Sequence, residues 1–227
     1  MRAAVLAALL IATTLAGCST NDTTTTTTSG GSQTGVTTTG SGQTTTTSGA
    51  GQDPCATLPQ YTVADKSDTI VAISTSVGCM VAELNDAKAP ISVANFKTYV
   101  GEGFYSGLHC YRIVSNFVNQ CGGERDGKTG SHPPIKNEAI ASGLHNTQYT
   151  LAMARTNEAD SATTEFYINA VTNCFLDPKS TSTCPAQANS DAGYAVFGML
   201  LAGKDVSDRM NTMASQPAPT LNSIRVL

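Results

Sequence analysis

The chain has 227 residues, 40% of them hydrophobic, only 13% charged and none of them tryptophan, which bounds it to one or two soluble domains. Its formal net charge is -4, and removal of residues 1–17 takes away Arg2 and no acid, leaving 12 basic against 17 acidic residues, or -5. That balance argues against nucleic acid as a partner, because phosphate binding needs a basic face.

In chain order, "MRAAVLAALLIATTLAGC" comes first. One basic residue precedes an apolar run that ends in small residues, the shape of a secretory signal, and the run is too short for a membrane span. Its end, "LAGC", resembles the bacterial lipobox. The resemblance implies a signal peptide over 1–17 and a lipid on Cys18, and the non-acidic Ser19 implies sorting to the outer membrane. Residues 18–61 form a tether. From 19 to 54 it is almost all Thr, Ser, Gly and Gln, which cannot bury a core and is expected to be disordered. Such a coil spans roughly 30 Å on average and on the order of 110 Å when stretched.

The folded domain is expected over 62–227. "TIVAIST" (69–75) and "CMVAEL" (79–84) read as two strands joined by a tight turn. "APISVANFKTYVGEG" reads as a helix with Pro90 in its first turn, Val93, Phe96 and Val100 on one face and Gly101 as the C-terminal cap. "LHCYRIV" (108–114) and "FVNQCGG" (117–123) read as a second strand pair, followed by strands at "QYTLAMAR", "EFYINAV" and "YAVFGMLL". A helix at "KDVSDRMNTM" places Val206, Met210 and Met213 at helical spacing, and "SIRVL" closes the chain as a strand. Eight strands and two helices predict a mainly β fold: a closed eight-stranded antiparallel barrel capped by two α-helices.

Familiar catalytic sets are missing from this pattern. His109, His132 and His145 accompany no nucleophile signature, and no H-E-x-x-H, Walker loop or dinucleotide fingerprint is present, so neither a metal nor a cofactor is expected. The three histidines read as surface or loop residues.

The blocks "FYSGLHCYRIVSNFVNQCGG", "PIKNEA", "LHNTQYTLAMARTNEADSATTEFYINAVTNCFLD" and "GYAVFG" occur in this order and closely resemble the cyclophilin family of peptidyl-prolyl isomerases, in particular its bacterial periplasmic branch. The resemblance covers about residues 68–227. It implies a barrel with a shallow proline groove on its outer face, and proline-containing segments of exported proteins as partners. Carried over residue by residue, the catalytic arginine falls on Arg112, the floor aromatic on Phe117 and the substrate-binding glutamine on Gln120. The neighbouring wall falls on Val118, the strand under the peptide on Ala154 and Arg155, and the second aromatic on Tyr167. The far wall falls on Phe175 and Leu176, and the rim on Tyr194.

These residue types suit the chemistry. Rotation about an X-Pro bond is slow because amide resonance is lost, with a barrier of about 20 kcal/mol. No bond to hydrogen or carbon breaks, so neither a nucleophile nor a titrating base is required. A rigid, permanently charged donor aimed at the proline nitrogen stabilises the twisted amide more than the planar one.

Several positions depart from the family pattern. Tyr111 replaces a histidine, "SN" (Ser115, Asn116) replaces Pro-Gly, and Val118 stands where methionine is common. Glu165, in the substrate-binding set, replaces a glutamine. Tyr167 brings a hydroxyl to a greasy wall, where it must reach rim water or alter substrate choice. Tyr149 stands where relatives often have glycine. Phe175 replaces the tryptophan that many eukaryotic members use to bind cyclosporin, which implies weak inhibition.

With Cys18 set aside, six cysteines remain, an even number that suits disulfides in an exported chain. Cys174 and Cys184 bracket an inserted loop. Cys110 and Cys121 lie on the two arms of one hairpin, directly opposite if its turn centres on Ser115 and Asn116. Cys55 then pairs with Cys79 and pins the end of the tether. The leading expectation is a lipid-anchored monomeric isomerase in the bacterial cell envelope, at the outer membrane facing the periplasm or at the cell surface. The alternatives are a weakly active or inactive proline-peptide-binding chaperone module and a surface adhesion lipoprotein.

Overall fold

Short apolar runs rich in β-branched and aromatic residues build the strands of this domain, which join in one antiparallel sheet. The structure, a computed structural model, describes residues 52–123, 126–213 and 217–227. The signal peptide, Cys18 and the tether up to residue 51 lie outside the described residues. The strands are β1 (Thr69–Thr75), β2 (Gly78–Leu84), β3 (Arg112–Val114), β4 (Val118–Cys121), β5 (Thr150–Met153), β6 (Phe166–Asn169), β7 (Val196–Ala202) and β8 (Leu221–Val226). They form a single sheet in the order β3-β4-β6-β5-β7-β2-β1-β8, and each neighbouring pair is antiparallel.

The expected eight strands are present, and the sheet is strongly curled, but a closed barrel ladder is not made. The edge strands β3 and β8 share no ladder. The chain just before β3 meets the start of β8 instead. One bridge joins His109 to Thr220, Gly107 N–H donates to Leu221 O (2.8 Å), and Cys110 N–H donates to Pro219 O (2.8 Å).

Among the described residues three α-helices accompany the sheet, one more than expected: α1 (Pro90–Gly101), the single turn α2 (Ala139–Ser142) and α3 (Lys204–Thr212). Pro90 opens α1, and Val93, Phe96 and Val100 are buried as their spacing predicts. Gly101 is the last helical residue, not the cap. The chain turns at Gly103, whose φ of 63° is the left-handed conformation that glycine adopts without strain. Glu138 caps the other end, accepting Ile91 N–H at 3.0 Å and Ser92 N–H at 2.7 Å, so its negative charge faces the positive helix end. On α3, Val206 and Met210 are buried, while Met213 lies past the last turn and is 39% exposed.

The main core fills the inside of the curl. Phe96 sits at its centre, with ring centroids of Tyr105, Phe166 and Phe197 at 5.3, 5.3 and 5.1 Å. The three expected disulfide pairs are bonded: Cys55–Cys79, Cys110–Cys121 and Cys174–Cys184. Residues 52–61, placed in the tether by the expected domain boundary at 62, are tied to the domain. Cys55 is fully buried, and the Arg225 guanidinium donates to its carbonyl at 3.0 Å.

Candidate active site

A second apolar cluster lies apart from the main core. Along β6, Phe166 and Ile168 belong to the main core, whereas Tyr167 between them belongs to the second cluster. Leu151 and Ala152 on β5 divide in the same way. The period of two puts the second cluster on the outer face of the sheet. Val118, Ala152, Tyr167, Leu176 and Val196 form its buried base, with Phe117, Leu144, Ala154, Phe175 and Tyr194 packed partly buried around them. This gathers Phe117, Val118, Ala154, Tyr167, Phe175, Leu176 and Tyr194 from the resemblance into one patch. Ala152, Leu144 and Val196 are additions that the sequence reading missed.

Arg112, Phe117 and Gln120 meet at the edge of this patch on the β3–β4 hairpin. The hairpin pairs Arg112 with Gln120, Ile113 with Asn119 and Val114 with Val118. Its loop is therefore Ser115–Phe117, three residues long, and Cys110 and Cys121 are offset by one position from direct opposition. Phe117 N–H donates to Val114 O at 3.0 Å, and Asn116 takes φ 55°, the left-handed conformation that asparagine tolerates. The exposed Arg112 donates from Nη1 to Gln120 Oε1 at 3.2 Å, and its guanidinium carbon lies 5.5 Å from the Phe117 ring centroid. Phe117 stacks on Phe175 at 5.6 Å with 23° between the planes. A cation is thus held beside an aromatic wall at the edge of the apolar patch.

Glu165 and Tyr111 complete the polar edge. Gln120 Nε2 donates to Tyr111 Oη at 2.7 Å and to Glu165 Oε2 at 2.9 Å, and the Tyr111 hydroxyl donates to the same carboxylate oxygen. Gly123 makes room for this contact, since a Cβ there would stand 2.6 Å from Glu165 Cγ. Tyr111 was read as a departure from the pattern but not as a site residue.

Two residues depart from the positions expected of them. The Tyr167 hydroxyl neither reaches rim water nor projects into the pocket. It is buried and donates to Asn146 Oδ1 at 2.8 Å. Burial first, then Tyr194 and Asp177, push its pKa well above the ordinary 10.0, with Arg155 pulling the other way, so it stays a neutral donor. Arg155 does not lie open under a peptide. Its guanidinium donates to Gly193 O at 2.9 Å and Ser190 Oγ at 2.8 Å and covers the Tyr194 ring at 4.3 Å, which fixes the loop before β7.

Behind the pocket runs a buried amide network. Asn146 donates to Asp177 Oδ1 at 2.9 Å, Asn169 donates to Asn146 Oδ1 at 3.2 Å, and Asn173 donates to Phe117 O at 3.0 Å. Each histidine is paired with a carboxylate: His109 with Asp126, His132 with Glu102 and His145 with Asp177. Among the described residues no group of three His, Cys, Asp or Glu side chains converges as a metal site would require.

A curled antiparallel sheet with an apolar patch on its outer face, edged by one arginine and one glutamine, is the arrangement that the resemblance to cyclophilins implies. The family model of the cyclophilin type peptidyl-prolyl cis-trans isomerase/CLD matches residues 70–227. Peptidyl-prolyl cis-trans isomerase A of Dickeya dadantii is 41% identical over 155 residues, covering 67% of this chain and 76% of that one. A peptidyl-prolyl cis-trans isomerase of Acinetobacter baylyi is 44% identical over 146 residues, covering 63% and 72%. The crystal structure of cyclophilin AquaCyp293 from Hirschia baltica matches with a TM-score of 0.58 at 20% identity, over 74% of this chain and 81% of that one. The chain belongs to the cyclophilin-type peptidyl-prolyl cis-trans isomerase family.

Proposed function

We propose that this protein isomerises X-Pro bonds in exported polypeptides while held to the cell envelope through a lipid on Cys18. The observation that carries the catalytic reading is the Arg112 guanidinium, held 3.2 Å from Gln120 Oε1 and facing Phe117 beside the outer apolar patch. Phe117, Val118 and Leu176 clamp the proline ring with Tyr167 as the inner wall, and Phe175 and Tyr194 bound the groove. As the peptide on the N-terminal side rotates, the proline nitrogen loses amide resonance and gains a lone pair. Arg112 donates to that lone pair, an interaction made only in the twisted state, and this lowers the barrier. Gln120 holds the guanidinium in place, and no proton changes hands.

Action on exported proteins rests on the signal-like N-terminus and on three disulfides, which suit an oxidising compartment. The lipid anchor rests on "LAGC", and the reading of an outer-membrane monomer, facing the periplasm or the cell surface, rests on Ser19 and on the absence of any demand for a partner copy. Isomerisation of a proline peptide should be rapid in the wild-type protein and fall about a hundredfold in Arg112→Ala. Peptide binding without turnover in the wild type would favour the binding-module reading, and neither binding nor turnover would favour the adhesion lipoprotein. Labelling of cells with a radioactive fatty acid should mark the wild type and not Cys18→Ser. Equal labelling of both would sink the anchor.

A further inference from the structure

Gln120 stands between a group that can only accept and a group that can only donate. On one side, the Glu165 carboxylate takes Nε2–H at 2.9 Å, while on the other Arg112 Nη1 gives to Oε1 at 3.2 Å. Tyr111 adds to this bias. Its only proton goes to Glu165 Oε2, so its oxygen is left to accept from Gln120 Nε2 at 2.7 Å. Both amide protons of Gln120 are thereby directed away from Arg112, and the amide has one orientation.

We infer that Glu165, assisted by Tyr111, is a positioning residue for isomerisation: its charge fixes the amide orientation of Gln120 and so the aim of Arg112. The inference rests on the isomerase reading above. A glutamine at position 165 could turn either its oxygen or its NH2 group toward Gln120. Gln120 would then be free to flip, and in the flipped state its NH2 would face the guanidinium and release it. The same geometry bears on substrate contact. Nε2 has no proton left to hold a substrate carbonyl, which was the role the family pattern implied for this glutamine.

The test compares the wild type with Glu165→Gln, a change of one atom pair at constant shape, by kinetics and by nuclear magnetic resonance of the full-length protein. Expected is a fall in kcat of about fivefold with KM changed less than about twofold, the pattern of an interaction used in the transition state. The two Gln120 side-chain amide protons, each bonded to a different oxygen in the wild type, should move toward ordinary values in Glu165→Gln, and only one should move in Tyr111→Phe. Unchanged Gln120 resonances in Glu165→Gln, or a loss confined to KM, would overturn the inference. The resonances are read without turnover, so a wild type that fails to isomerise would defeat the functional reading while the Gln120 shifts still decide the positioning.

Discussion

The hydroxyl of Tyr167 turns an apolar wall into a tied one. It donates to Asn146 Oδ1, which also accepts from Asn169 at 3.2 Å, so its removal orphans no acceptor. Tyr167→Phe should therefore cost only about 1 kcal/mol in urea unfolding, the low end for a buried hydrogen bond, and leave kcat/KM within about twofold. A cost above about 3 kcal/mol would mean that the network collapses without it. The sign of its pH effect follows from the raised pKa. An unfolded tyrosine releases its proton near 10.0 while the folded one keeps it, so stability is fully present below pH 10 and is lost as pH rises beyond it. Tyr105, also buried, is raised mainly by burial, with Tyr99 adding, and acts in the same direction. Melting temperature should fall steeply above about pH 10 and less steeply in Tyr167→Phe. The sequence placed Tyr167 in the wall through its neighbours in "EFYIN". Its partner could not be read, because Asn146 lies 21 residues away in a stretch that looks like an ordinary turn. Tyr149 is the converse case. Its φ of 69° is a conformation that glycine adopts without strain, and here the strain is set against packing on the core and a bond from its hydroxyl to Asp208.

At the scale of elements, the β3–β4 hairpin is aligned by a helix residue. Asn211 of α3 accepts Asn116 N–H at 2.8 Å and donates to Val114 O at 3.0 Å and to Asn119 Oδ1 at 2.9 Å. These bonds hold the three-residue loop that ends in Phe117. Asn211→Ala leaves the buried side of the turn without partners and should cost about 1–3 kcal/mol in chemical unfolding. It should also lower kcat, because Phe117 and Arg112 ride on the loosened hairpin. Asn116→Gly is the contrast: glycine accepts φ 55° and keeps the backbone N–H, so it should be close to neutral. Equal losses in both variants would show that the turn conformation, not the clamp, sets the alignment. The two arms and the turn chemistry were legible in "RIVSNFVNQC". The extra loop residue and the clamp were not, because strands of three and four residues carry too few apolar positions to fix which register buries them, and Asn211 bonds across more than ninety positions.

At the scale of the molecule, strand number and order of appearance could be read because each strand is a short apolar run bounded by turn residues. Closure could not, since 107–110 meet 219–221 through irregular backbone contacts that have no period. The beginning of the folded unit was legible only through Cys55, whose expected bond to Cys79 pins a segment placed before the boundary at residue 62. Cys55–Cys79 fastens this segment to β2, and Asp53 pairs with Arg225 of β8 at 3.7 Å. In the sheet, β2 and β8 do not pair with β3, β4 or β6, which carry Arg112, Gln120 and Tyr167, while β7, the neighbour of β2, adds Val196 to the patch. Cys55–Cys79 and the β3–β4 hairpin thus stand on strands that do not pair with each other. Closing a loop with a sequence separation of 24 is worth about 3 kcal/mol in the chain-entropy account. Replacing Cys55 and Cys79 together by serine should therefore lower unfolding free energy by about that amount and open residues 52–61 to limited proteolysis, with kcat/KM preserved. Replacing Cys110 and Cys121 should cost a similar amount but also lower kcat, because that bond joins the two arms that carry Arg112 and Gln120. If the first pair depressed activity as strongly as the second, Cys55–Cys79 and the hairpin would be coupled, and the local reading of the Cys110–Cys121 effect would have to be given up.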